Sequence, residues 1–191
     1  FAWSNGLRTE HFPPERNWLK AHVTLFHSFA PSLREELPRF LSRMAGEFAP
    51  PAAEITGLMD LGQGTALAIR SPGMIAVREV IAEHFRDMLT RQDQGGKKLH
   101  ITIQNKVERA TAAALQQRLG AQFGQRRFAF TGLGLHIYRE THWEPVGIWK
   151  FRGKHSAWPK PGGTLCAPPA RAMARSLVWG GVAQPVRAAE S

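Results

Sequence analysis

Apolar and polar positions alternate along residues 18–27, most clearly at Ala21-His22-Val23-Thr24-Leu25-Phe26, with β-branched residues and neither Gly nor Pro. That period of two predicts a strand. After Pro31 the spacing changes. Leu33, Leu37, Phe40, Leu41 and Met44 recur at helical intervals behind a Ser32 to Glu35 capping-box pattern, and Pro38 falls where a first helical turn tolerates it. Residues 52–59 and 65–70 read as two strands joined by the turn Asp60-Leu61-Gly62-Gln63-Gly64. Val77, Val80, Ile81, Phe85 and Met88 share one face of a helix over residues 74–89, which the Gly-, Gln- and Lys-rich stretch 91–98 ends. Residues 99–104 alternate as strongly as the first strand, and residues 108–123 form an Ala- and Leu-rich helix. Residues 128–139 and 145–152 complete the pattern as a hairpin around His142 and Glu144.

A strand–helix–hairpin block therefore occurs twice, at 18–70 and at 99–152. The order predicts an α+β fold, bilobal with an internal pseudo-twofold repeat, in which helices back antiparallel sheets. One motif repeats with it: His22-Val23-Thr24-Leu25 and His100-Ile101-Thr102-Ile103 both read His-apolar-Thr-apolar. One copy alone carries little information, but two copies at matching places in a repeat are not expected from composition. Because side chains alternate faces along a strand, His22 and Thr24 share one face, as do His100 and Thr102. Two such strands facing a central cleft would gather two imidazoles and two hydroxyls.

Composition sharpens the picture only in places. The 191 residues, 43% hydrophobic and 21% charged, suit one folded domain. The net charge is +10, yet half of it lies in residues 152–191, so the body attracts phosphates only modestly. The gathered side chains suit a phosphate. Hydroxyls donate to its oxygens, and displacement at phosphorus wants a base on the entering oxygen and an acid on the leaving one. Two imidazoles supply both near neutral pH, with His100 the nominal base. The vicinal hydroxyl of RNA then makes a metal unnecessary. His27, His136 and His142 lack metal-site spacing, so no metal and no cofactor are expected. Gly132-Leu133-Gly134 lacks the third glycine of a dinucleotide fingerprint. A single cysteine, Cys166, and the lack of a long apolar run predict a cytoplasmic chain without disulfide or membrane span.

On its paired motifs the chain resembles the 2H phosphoesterase superfamily, in particular the bacterial 2′-5′ RNA ligase-like branch of RNA 2′,3′-cyclic phosphodiesterases. The stretches His11-Phe12-Pro13-Pro14-Glu15-Arg16-Asn17 and Gln104-Asn105-Lys106-Val107 add to a resemblance that spans residues 7–153. It implies a metal-independent phosphoesterase with His22 and His100 as the catalytic pair and Thr24 and Thr102 holding phosphate. RNA ends or small cyclic nucleotides would be its substrates, and a monomer is expected. The reverse reaction, as a 2′-5′ RNA ligase, and a non-catalytic RNA-end or nucleotide binder are the rival readings. The family's domain opens with a strand before the first motif, and this chain is expected to lack most of it.

If the alternation continues, Phe26 and Gln104 fall on the faces of the catalytic pairs and line the pocket. Tyr138, with Trp143 and Trp149, is placed to stack a base. Lys97 and Lys98 flank the second motif, as steering charges or a solvated loop. The domain is expected to span 1–153. Residues 154–191, rich in Pro, Gly and Ala without period, read as a disordered tail. Its end, from Gly181 to Ser191, resembles the accidental translation of a transfer-RNA gene by read-through.

Overall fold

The turn signals of residues 52–70 close a hairpin of β1 (Ala52–Asp60) and β2 (Gly64–Arg70), paired from Glu54↔Arg70 to Asp60↔Thr65. The computed structural model from which this is read describes residues 1–154, except Lys97, Gln122 and Thr141, together with 181–182 and 188–189. The second motif lies on β3 (His100–Asn105), antiparallel to β2, and β4 (Arg126–Phe130) pairs with the other edge of β1. A second sheet is built on the hairpin of β5 (Gly132–Arg139) and β6 (His142–Lys150). Two two-residue strands, β7 (Gly181–Val182) on β5 and β8 (Ala188–Ala189) on β4, extend the sheets to the orders β6-β5-β7 and β3-β2-β1-β4-β8. The rest of the expected tail lies outside the described residues. The architecture is mixed α and β with antiparallel sheets, as the element order predicts.

Among the described residues, five α-helices complete it: α1 (Ala2–His11), α2 (Glu36–Glu47), α3 (Pro72–His84), α4 (Arg91–Gln94) and α5 (Arg109–Gly120). Helix α2 buries the predicted stripe of Leu37, Phe40, Leu41 and Met44, with Pro38 in its first turn. The capping box does not form. Pro31–Leu33 make a 3₁₀ turn, and no side chain caps α2. Helix α3 is capped by the Ser71 hydroxyl, which accepts from the Met74 N–H at 3.2 Å. It ends at His84, before the predicted residue 89, because Phe85 leaves helical geometry and turns into the core. Met88 is thereby left exposed. Helix α2 packs on β5 and β6, whereas α5 packs on β1 and β2. No helix among the described residues is long and apolar enough to cross a membrane.

Two further expectations fail locally. The single strand predicted over 128–139 breaks at Thr131, where the chain leaves one sheet for the other. Phe128 and Phe130 belong to the first sheet and Leu133 and Leu135 to the second, so one alternating run feeds two surfaces of a single core. Residues 18–27 make no regular strand. One antiparallel bridge, Val23↔Ile101, joins them to β3. Burial still alternates from Ala21 to Leu25, but Phe26 is buried as well and ends the pattern.

The main chain stays docked as far as Gly153, whose N–H donates to the Phe48 carbonyl at 3.0 Å. A Cβ at Gly153 would land on the Glu47 main chain at the end of α2. Gly153→Ala is therefore expected to cost about 1–3 kcal/mol, the usual range for overpacking, and thermal unfolding would read this as a Tm lower by several degrees.

Candidate functional site

The bridge between Val23 and Ile101 sets the geometry of the site. Both residues are buried, at 1% and 2% exposure, so their neighbours face the opposite way. Carried one residue in each direction, the antiparallel register sets His22 against Thr102 and Thr24 against His100. All four are half-buried, at the boundary of core and solvent. The structure thus brings together the four residues that the motif singles out.

Each imidazole is oriented by the same device. His22 Nδ1 lies 2.6 Å from the Lys20 carbonyl, and His100 Nδ1 lies 3.0 Å from the Lys98 carbonyl. A carbonyl oxygen only accepts, so each Nδ1 carries the proton and donates it, which leaves Nε2 to meet a ligand. In both copies the partner is the main chain two residues upstream of the histidine. The same local construction thus occurs at both motifs, and in each it begins at a lysine, Lys20 or Lys98.

What holds residues 18–27 in place of a sheet ladder is a set of polar side chains, three of them buried. The Ala21 N–H donates to Asn5 Oδ1 at 3.0 Å. Arg8, also on α1, is 5% exposed; its Nε donates to the Leu19 carbonyl at 3.0 Å and to Asn17 Oδ1 at 2.9 Å, and Nη1 donates to the Thr102 carbonyl at 2.6 Å. One guanidinium thus ties both motif segments together from behind. Downstream, Arg78 Nε donates to the Leu25 carbonyl at 3.3 Å, and its Nη2 to the carbonyls of Asp93 and Gly95 at 2.5 and 2.8 Å. The Asp93 carboxylate, fully buried, accepts from the N–H groups of His27 and Ser28 and from His27 Nδ1 at 2.9 Å. The backbone groups that a ladder would satisfy are met here by Asn5, Arg8, Arg78 and Asp93.

Sequence reasoning missed these four residues. Their signals are faint: Asn5 and Arg8 lie three apart on one face of a helix, with no residue type that marks them for burial, and Asp93 is a single acid in a Gln- and Gly-rich loop. The Pro-rich stretch after His11 forms a 3₁₀ turn, Pro14–Arg16, which delivers Asn17 to Arg8.

Burial drives the His22 pKa down, and the Arg8 guanidinium and the His136 and His100 rings lower it further against the opposing bond to the Lys20 carbonyl. The result is a pKa of about 4. His22 is consequently neutral at neutral pH. The same interactions place a third histidine, His136 of β5, in the electrostatic surroundings of the site.

The pocket residues fare differently. Phe26 is 2% exposed, its ring 4.9 Å from Phe29 and under the Arg78 guanidinium, so it is core and does not line the cleft. The alternation that put it in the pocket fails because both Leu25 and Phe26 turn inward. Gln104 is also buried. A register shift in the β2–β3 pairing after Thr102 puts Ile103 and Gln104 both inside, where Gln104 Oε1 accepts from the Thr65 hydroxyl at 3.4 Å. Tyr138 is 44% exposed near the tip of the β5–β6 hairpin, its ring 4.9 Å from Trp143 and its hydroxyl on the Glu140 carbonyl. Lys97 lies outside the described residues. A shallow concavity between α2 and Trp149 contains none of the motif residues.

No curated protein and no solved structure shows significant similarity to this chain. The sequence model of the 2′-5′ RNA ligase superfamily, a class of phosphoesterases and ligases, matches residues 1–142. On a match that covers most of its length and includes both motifs, the chain belongs to the 2′-5′ RNA ligase superfamily of 2H phosphoesterases.

Proposed function

We propose that this protein is a metal-independent phosphoesterase acting on the 2′,3′-cyclic phosphate or 2′,5′-phosphodiester groups of RNA ends or nucleotides, with His22 and His100 as its acid–base pair. The observation that carries the reading is the matched construction of the two imidazoles. Each is held through Nδ1 by the carbonyl two residues upstream, on segments bridged at Val23 and Ile101. A pair with both Nε2 atoms available is what in-line displacement at phosphorus needs.

His22 is the base. Its depressed pKa keeps Nε2 unprotonated, which reverses the nominal choice of His100. Nε2 of His22 takes the proton of the entering water, the water oxygen bonds to phosphorus, and one ester bond of the cyclic phosphate breaks. His100 gives its proton to the departing ribose oxygen. Hydroxyls of Thr24 and Thr102 donate to the non-bridging oxygens as charge builds there. The same steps with the 5′-hydroxyl of a second strand in place of water describe ligation: that oxygen bonds to phosphorus, the P–O3′ bond breaks, and the freed 3′-oxygen takes the proton of His100. The two-lobed, pseudo-twofold arrangement belongs to this reading, because it would give each histidine one side of the phosphate.

The test is turnover of a 2′,3′-cyclic mononucleotide in the presence of a chelator. Undiminished hydrolysis supports the mechanism. Strict dependence on added divalent ions overturns it, and tight binding without turnover favours the non-catalytic binder. The pH profile adds a sharper expectation. A base must be unprotonated in the free enzyme, so kcat/KM should rise with pH through the His22 value near 4, well below the 6.5 of a free imidazole. A bound phosphate favours the imidazolium, so the acid limb of kcat should lie at higher pH than that of kcat/KM. Coincident limbs at 6.5 would assign the base elsewhere.

A further inference from the structure

The repeat is longer than the catalytic motif. Lys20-Ala21-His22-Val23-Thr24-Leu25 and Lys98-Leu99-His100-Ile101-Thr102-Ile103 match in kind at all six positions. Alternation puts each lysine on the face of its own histidine and threonine, and burial follows that pattern. Ala21 and Leu99 are buried, His22 and His100 half-buried, Lys20 and Lys98 exposed. Each lysine is also fixed at its base, because its main-chain carbonyl is the acceptor that orients the imidazole. Neither ammonium has an ion-pair partner among the described residues.

The register says where these charges stand. Counted from the Val23↔Ile101 bridge, Lys20 and Lys98 lie three residues out in opposite directions. That places the two main-chain positions on opposite sides of the bridge, outside the two histidine–threonine pairs. The charges acting on the His22 ring between them, Arg8, His136 and His100, are all basic. The two bridged segments thus present a cationic side chain on either side of the two histidine–threonine pairs, a grouping that suits one phosphate.

We propose that Lys20 and Lys98 form two phosphate-binding subsites that hold the RNA backbone on either side of the reacting phosphate, so that the preferred substrate is an oligonucleotide. The inference rests on the function proposed above, and it divides the two substrate geometries. A 2′,3′-cyclic phosphate ends a strand, so its neighbouring phosphates lie on one side only and reach one of the two lysines. An internal 2′,5′ linkage has phosphates on both sides and reaches both. Which lysine matters for a cyclic end therefore reports the direction in which the strand runs across the site.

The experiment compares Lys20→Ala, Lys98→Ala and the double variant with the intact protein on two substrates, a 2′,3′-cyclic mononucleotide and a hexaribonucleotide ending in a 2′,3′-cyclic phosphate. Truncation removes the ammonium and keeps the carbonyl that orients the histidine. The ratio of kcat/KM for hexamer over mononucleotide should fall about ten-fold for one single variant and for the double, and the deficit should shrink at high salt. Binding of a fluorescent hexamer with a 3′-phosphate is measured in parallel, where each phosphate contact contributes about 0.7 to the slope of log affinity against log salt. A double variant with unchanged hexamer affinity and salt slope overturns the proposal. So does an equal loss on both substrates, which would place the lysines in the chemistry itself. If the intact protein turns over neither substrate, the hydrolase reading fails alone, and the binding arm still decides the subsites.

Discussion

Replacing His22 or His100 with alanine is expected to lower kcat/KM on a 2′,3′-cyclic nucleotide by about 10²- to 10⁴-fold, the usual cost of losing a general acid or base. The two rings serve one proton-transfer cycle, so the double variant should be little worse than either single one. Phosphate affinity should largely survive, since the hydroxyls of Thr24 and Thr102 remain. Both histidines are only half-buried, and each is tied to the main chain by one hydrogen bond, so circular dichroism and Tm should show a folded protein. Near-full activity of both single variants in a clean preparation would remove the pair from the mechanism.

The largest effect on stability is expected at Asp93. Its carboxylate is fully buried and satisfies the N–H groups of His27 and Ser28, the His27 ring and the Thr90 hydroxyl, while its charge balances Arg78. Asp93→Ala leaves these donors unmatched and takes a buried carboxylate away from the Arg78 charge, whose main-chain acceptors remain, which should cost about 3–5 kcal/mol. For a chain of this size that is a Tm lower by about 10 °C. Because the released segment directly follows Thr24, catalytic efficiency should fall with it; Asp93→Asn, which keeps an acceptor, should be milder in both respects.

The pH dependence carries a sign that can be checked. Burial by itself would raise the Asp93 pKa, but the bonds from His27 and Ser28 outweigh it and lower it. A lowered carboxylate pKa contributes stability above the ordinary value near 4, which is lost as the pH falls through the folded value. His22 acts in a higher window. Its folded pKa is about 4 and that of an unfolded imidazole about 6.5, so the unfolded chain takes up the proton first and stability declines as the pH falls between those values. Denaturant midpoints at pH 7, 5 and 3.5 should therefore fall at each step. Asp93→Ala should retain the first loss and lack the part of the second that Asp93 supplies.

Much of this was legible from periodicity. The hairpin of β1 and β2, the strand β3, the helices α2 and α5 and the inward face of α3 all follow from apolar spacing, because each presents one face to a core. The His-x-Thr pair was equally legible, since alternation in an extended segment decides which side chains share a face whether or not the segment is a regular strand. The same rule failed where backbone geometry changed. It put Phe26 and Gln104 in the pocket, but an inward turn at Phe26 and a register shift before Gln104 buried both. It also read residues 128–139 as one strand, since an alternating run does not reveal that its halves join different sheets.

The sequence by itself determined which residues carry the paired motif, which of them share a face, and that the pattern occurs twice. Those properties depend on types and spacings within a few residues, and local backbone geometry converts them directly into direction. Only the tertiary structure decided what holds the site. Arg8 meets Thr102 across 94 residues of chain, and Asp93 meets His27 across 66. It also decided that the His22 pKa is lowered, because desolvation and the approach of Arg8, His100 and His136 are properties of assembled surroundings. Hydrogen bonds from side chain to backbone have no period, and a charge leaves no mark on the sequence far from it until folding brings the two within a few ångströms.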